Sequence, residues 1–250
     1  MKMQWRRWVG SLAVGLTMMV EMTASAADAE LPSEPFLNAA RHPHSRECWA
    51  LLQGKVTHLR RGSSPAETSI RLATLFTPQR TLTQIVIGGS EGYLVGQGFA
   101  TGQEKTSIIP RRKEGYKDPI LGRFGLRPED LALSFIFWNF LKELPRDTVR
   151  GHECRVFLLN APEQPGQKDE LAKVYLSAKY YFPLKVEWFQ NPQTTPYRTL
   201  EISSFREVNE IWVPDSLGLY GPGWRTKVEF DQASAGQKDT APRDLFLPQE

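Results

Sequence analysis

Between Leu171 and Phe230 the chain alternates apolar and polar residues with a period of two, and no other pattern in it limits the fold as tightly. Trp224, Thr226, Val228 and Phe230 fall on one face and Arg225, Lys227 and Glu229 on the other, as in a half-buried antiparallel strand. The same rhythm groups Ala172, Val174 and Leu176, then Leu184, Val186 and Trp188, then Leu200 and Ile202. Such a sheet needs a partner for its apolar face, yet only one convincing helix follows the first residues. Either the sheet packs on itself as a sandwich or closed barrel, or it curves around an apolar hollow.

Upstream, strands are predicted at Cys48 to Arg60, Thr68 to Thr77, Leu82 to Gly88, Tyr93 to Phe99 and Thr106 to Ile109, each bounded by Gly, Pro or Ser. That spacing describes an antiparallel meander. Ser33 to Arg41 reads as a short helix or an irregular arm. Pro128-Glu129-Asp130 begins the convincing helix, predicted from Glu129 to about Leu141 and apolar on nearly its whole circumference. It is either a core helix or a lid over something apolar; the aromatic run Phe135 to Phe140 also suits a strand. Strands resume at His152 and continue to Gln232, the tail Ser234 to Thr240 is polar, and Asp244-Leu245-Phe246 is expected to dock as a short closing segment.

The first residues have the form of an export signal: basic Lys2, Arg6 and Arg7, a largely apolar run of 12 residues from Val9 to Val20, then Ala24-Ser25-Ala26. The run is shorter than the ~20 residues that span a bilayer. Cleavage after Ala26 is expected, giving a secreted product that forms one domain over residues 27–250. Arg6-Arg7 also fits a twin-arginine signal, but no cofactor motif accompanies it. The signal holds three of the 31 Lys/Arg and one of the 28 Asp/Glu, which leaves a net charge of +1. That balance, with no basic stripe, excludes nucleic acid as a partner. Pro162 to Lys168 reads as a loop insertion. Cys48 and Cys154 make a disulfide candidate worth ~4 kcal/mol in the entropy account, the alternative being two buried thiols.

Motifs for catalysis are sparse. Gly88-Gly89-Ser90-Glu91-Gly92 matches the nucleophile elbow of serine hydrolases, but Tyr93-Leu94-Val95 then returns as a strand, so the glycines fit a hairpin turn better. His42 and His44 have no third ligand nearby, and His58 and His152 lie in strands without a carboxylate or cysteine at an informative spacing. The helix dipole accounts for Glu129 and Asp130. No enzyme, metal site or cofactor is expected.

Leu126-Arg127-Pro128-Glu129-Asp130-Leu131, Phe135 to Trp138, and the run Val149 to Leu159 resemble the outer-membrane lipoprotein-sorting, LolA-like family. Lys173-Val174-Tyr175-Leu176, Tyr181 to Glu187, Phe205 to Pro214 and Arg225-Thr226 keep that family's order, so the resemblance covers the second half of the chain. It implies a mainly β (α+β) fold: an incurved antiparallel sheet forming an unclosed barrel, with one or more covering helices. It also implies an apolar interior that shelters lipoprotein acyl chains in the periplasm, between an inner-membrane transporter and an outer-membrane acceptor.

The expected lipid-binding cavity is lined by Ile70, Leu72, Phe76, Ile85, Ile87, Val174, Leu176, Val186, Trp188, Leu200 and Ile202, with Phe135 and Trp138 from the lid. Burial of apolar surface at ~25 cal/mol per Å² is enough to hold an acyl chain reversibly. Two rivals are a non-catalytic envelope interaction module, with a filled interior and an outer apolar patch, and a secreted hydrolase acting through Ser90.

Overall fold

The computed structural model describes residues 30–42, 47–99, 105–112, 119–162, 169–190 and 192–247. The expected signal and its cleavage site, His44, and most of the Pro162–Lys168 loop lie outside these residues. Pro32–Glu250 form one compact unit.

Helix α1 (Ser33–Arg41) precedes a run of five strands: β1 (Cys48–Arg60), β2 (Ala66–Phe76), β3 (Arg80–Ile87), β4 (Glu91–Gly98) and β5 (Thr106–Arg112). A covering segment follows, made of α2 (Ile120–Arg123), α3 (Pro128–Ala132) and a 3-10 turn (Ser134–Phe137). Seven strands complete the chain: β6 (Asn139–Val149), β7 (His152–Asn160), β8 (Glu170–Ser177), β9 (Pro183–Gln190), β10 (Arg198–Val208), β11 (Ile211–Gly221) and β12 (Trp224–Gln237). All twelve form one antiparallel sheet in the order β5-β4-β3-β2-β1-β12-β11-β10-β9-β8-β7-β6. The sheet is not closed into a barrel, as expected. Its edges, β5 and β6, are joined in sequence by the covering segment.

The alternation seen in the sequence sorts side chains as anticipated. Thr226, Val228 and Phe230 are buried on the inner face while Arg225 and Lys227 face out. Cys154, Val156 and Tyr175 form a smaller cluster on the outer face, and Trp49, Ala73 and Leu245 another. The last of these bears out the docking of Asp244-Leu245-Phe246: Arg71 donates to the carbonyls of Asp244 and Leu245, and the Gln84 amide brackets Leu247. Leu184 departs from its expected face. A bulge opposite Tyr175 and Leu176 makes it the extra residue, and it joins the outer cluster.

Two expectations are corrected. The helix predicted to reach Leu141 stops after Ala132, because Leu133 adopts a left-handed conformation (φ 54°) and donates its N–H to Glu129 O. The aromatic run becomes the 3-10 turn and the start of β6. Pro145 sits in β6 without penalty because an edge strand has a free side, and a bulge between Leu144 and Asp147 absorbs it. The disulfide is not formed: Cys48 lies in the inner cluster and Cys154 in an outer one, both free and buried. Burial pushes the Cys48 thiol up to about 11.

Helix α1 packs on the inner face by Phe36, Leu37 and Ala40. Phe36 stacks on Phe157 at 5.8 Å and meets the tilted Tyr181 ring at 4.7 Å, with the Arg155 guanidinium 4.4 Å above its own ring. Arg155 and Ser33 both donate to the Glu143 carboxylate, and these bonds hold it below the usual range.

Candidate functional site

The covering segment is fixed to the sheet by hydrogen bonds to its own backbone. The Glu91 carboxylate accepts the N–H groups of Ile120 (2.7 Å) and Leu121 (3.1 Å), and Thr226 Oγ1 donates to Phe124 O at 2.5 Å. From β10, Arg198 donates to both Asp130 oxygens and to Gly125 O, with its guanidinium 4.8 Å above Trp188. Arg41, in the last turn of α1, donates to Ile136 O (3.0 Å) and Trp138 O (2.8 Å). Helix α1 thus clasps the 3-10 turn from the far side.

Two cavities lie on either side of that turn. The first, about 130 Å³, is apolar. Ala50, Leu52, Leu72 and Phe76 of the sheet face Leu131, Ala132, Leu133, Ile136 and Phe137 of the cover, and Ile211 to Pro214 form the rim. The second, about 600 Å³, mixes apolar and polar groups. Phe135, Trp138, Trp188 and Ile108 give it aromatic and aliphatic walls, while Lys105, Arg127, Glu129, Asp130, Ser134, Glu170 and Tyr197 bring polar atoms. Arg127 donates to Glu170 and Tyr197 at 2.8 Å, and Tyr197 donates to the same Glu170 carboxylate. Burial would lower the Arg127 guanidinium, but Glu170 outweighs it and holds the group above its ordinary value. Burial and Glu170 push the Tyr197 phenol up to about 12. Burial also raises the Glu129 carboxyl.

All thirteen expected cavity residues belong to the inner cluster, but they divide three ways. Leu72 and Phe76 line the apolar hollow, and Phe135, Trp138 and Trp188 line the mixed cavity. Ile70, Ile85, Ile87, Val174, Leu176, Val186, Leu200 and Ile202 are buried outside either lining, so they are core rather than open wall. Gly88 and Gly89, both at positive φ, form the β3–β4 turn with Ser90, as the hairpin reading required, so no strand-to-helix elbow exists there. His42 is exposed and its ring bonds Asn38 O, whereas His58 is held by Thr226 between Phe124 and Trp224.

The sequence reading missed Arg41, Arg127, Ser134 and Arg198. Arg198 carried a signal: it shares the inward parity of Leu200 and Ile202, and a charge at an inward position demands a buried partner. Arg41 carried none, since a cation in a last helical turn is ordinary.

An unclosed antiparallel sheet with a short helical cover over an inner hollow is the LolA-like fold. Among solved structures that share it, a DUF1329 family protein from Desulfovibrio piger superposes with a TM-score of 0.60 at 12% identity, covering 83% of this chain and 92% of that one. A domain described as an outer membrane lipoprotein-sorting protein, from Vibrio parahaemolyticus, gives 0.61 at 12% identity over 84% and 94%. A LolA superfamily protein from Nitrosomonas europaea gives 0.55 at 9% identity over 87% and 98%. No family model and no curated protein sequence matches the chain.

The clasp yields an expected outcome. Replacing Arg41 by alanine leaves two backbone carbonyls without their charged donor, a loss of about 1.5–3 kcal/mol for each bond. Amide exchange at Ile136 and Trp138 should accelerate by at least about tenfold, while Val228 in the sheet centre follows only the global change. Unchanged protection at Ile136 would show that Arg41 does not hold the turn.

Proposed function

We propose that this protein is a periplasmic carrier that holds the acyl chain of a lipid or lipoprotein beneath its cover, with no covalent chemistry. The observation that carries this reading is the position of the apolar hollow, directly under a segment pinned by backbone hydrogen bonds and jointed at Leu133. As it stands the hollow matches a cavity that admits a benzene-sized guest, about 150 Å³. An acyl chain therefore enters only when the 3-10 turn swings away from α1. Burying ten methylenes contributes about 8 kcal/mol, which exceeds the ~3–6 kcal/mol of breaking two charged hydrogen bonds when the chain also takes over the apolar contacts that Phe135 and Ile136 give up. Cargo can thus hold the cover open, and the empty carrier closes.

The likeness to an outer membrane lipoprotein-sorting domain supports transfer towards the outer membrane, with an inner-membrane donor and an outer-membrane acceptor as partners. Export with removal of the first 26 residues belongs to the same reading. The envelope-module alternative draws on Trp212, 61% exposed at the rim of the hollow.

The test is native mass spectrometry of protein taken from the periplasm, together with displacement of a fluorescent fatty acid. Ala132→Phe fills the hollow from the cover and leaves the sheet untouched, so it should reduce fatty-acid binding by about tenfold or more with the fold retained. Absence of both copurified lipid and fatty-acid binding in the unaltered protein would overturn the carrier reading in favour of the interaction module.

A further inference from the structure

The mixed cavity has a charge pattern that the acyl-chain reading does not use. Five charged side chains line it, and four are accounted for by position or pairing. Lys105 is exposed to solvent at the rim. Arg127 and Glu170 pair with each other, and Asp130 is taken by Arg198 at the buried end. The fifth, Glu129, forms no ion pair among the described residues, although it lies one position from Asp130 on α3. Its nearest charges are Asp130, Arg127 and Arg198, and both arginines are already bound to other carboxylates. Five residues on, beyond the left-handed Leu133, Ser134 lines the same cavity. Ser134 is only 2% exposed, and its hydroxyl has no hydrogen-bond partner.

A buried hydroxyl without a partner is rare, because folding strips it of water and returns nothing. Here it borders a space of about 600 Å³, within the usual range of small-molecule sites. Once Arg127 is matched to Glu170 and Arg198 to Asp130, the lining leaves one carboxylate, the partly buried Glu129, and one cation, the solvent-exposed Lys105. Past Lys105 at the rim, an entering anion would meet that carboxylate and would have to prise Arg127 from Glu170. A cation meets a carboxylate already stripped of part of its hydration, and the flat aromatic face of Trp138 favours an organic body beside it.

We infer that the mixed cavity binds a primary ammonium group carried on a short apolar body, the ammonium donating to the Glu129 carboxylate with Ser134 Oγ as a second acceptor, and the body lying against Trp138 and Phe135. The inference goes beyond chain binding in the apolar hollow and does not depend on it. The same chemistry is offered by a free small amine or by an ethanolamine lipid headgroup.

Hexylamine, hexanol and hexanoate are the probes, titrated against the fluorescence of the tryptophans that line the cavity. Saturable hexylamine binding, at least about tenfold tighter than hexanol and hexanoate, is expected. Glu129→Gln should remove that preference and Ser134→Ala should weaken it several-fold, with circular dichroism confirming the fold. Equal binding of hexylamine and hexanol by the unaltered protein overturns the proposal whether or not the Glu129 variant folds. So does hexylamine binding that is unaffected in a folded Glu129→Gln protein. Competition by lysophosphatidylethanolamine, but not by lysophosphatidylglycerol, identifies the headgroup as the source; competition by neither, with hexylamine still bound, identifies a free amine. Ala132→Phe lies outside this lining and should leave hexylamine binding intact, so failure of the carrier reading and failure of this one are told apart.

Discussion

Replacing Arg198 by methionine is expected to destabilise the protein by about 3–5 kcal/mol, a fall in melting temperature of roughly 10 °C for a chain of this size. Arg198 is 4% exposed and Asp130 1% exposed, so the pair is out of water on both sides. Without the guanidinium, the Asp130 carboxylate keeps the Arg127 backbone N–H at 2.6 Å as its hydrogen-bonding partner, and Gly125 O loses its donor. The damage comes from the stranded charge rather than from a lost attraction. The double variant Arg198→Met, Asp130→Leu should accordingly recover much of the loss, since a well-packed apolar pair often equals a buried ion pair. Urea denaturation of the two variants decides it: a single-variant loss below about 1 kcal/mol, outside the range for a broken buried pair, would mean that water reaches the site.

Gly54→Ala should be the most damaging small-to-small change in the sheet. An added Cβ at Gly54 would stand 1.8 Å from Glu229 O and 2.8 Å from Phe230 Cα, so it collides with backbone that cannot rotate away. The bulge between Gln53 and Gly54 places β12 directly over that position. The expected loss is above the ~1–3 kcal/mol of ordinary overpacking. Gly218→Ala is the natural control: its added Cβ meets the Tyr220 ring at 2.7–3.1 Å, and that side chain is exposed and can turn aside. Equal melting temperatures for the two variants would show that the bulge yields.

Much of the sheet was legible because a period of two leaves a face to each residue. Strand β1 matches the reading at both ends, and the inner positions of β8, β9, β10 and β12 are the anticipated ones apart from Leu184. The reading failed where a single backbone conformation decides the outcome. Nothing in the composition of residues 129–141 announces that Leu133 turns left-handed, and an apolar run is equally at home in a helix, a tight turn or an edge strand. The hollow was legible as a surface and not as a space. Alternation says which side chains point inward, whereas the gaps between them depend on how α1 and the cover descend onto the sheet. The polar fittings of the cover were hidden for a related reason: Arg41 and Ile136 are 95 residues apart and Arg198 and Asp130 68, distances at which sequence spacing says nothing.

The centre of the sheet is where the first strand meets the last. Ten of the eleven strand pairings join neighbours in sequence, so hairpins on either wing can form soon after their residues become available. The β1–β12 join cannot. It must wait for residue 224 and beyond, and it closes a loop of the whole intervening chain, which is a slow step. Until then the molecule is two half-sheets with bare inner edges, adhesive surfaces of the kind that chaperones shield. Maturation of this chain should therefore be governed by the arrival of its final strand, and a chain that loses β12 should accumulate as an unpaired, aggregating intermediate rather than as a smaller folded form.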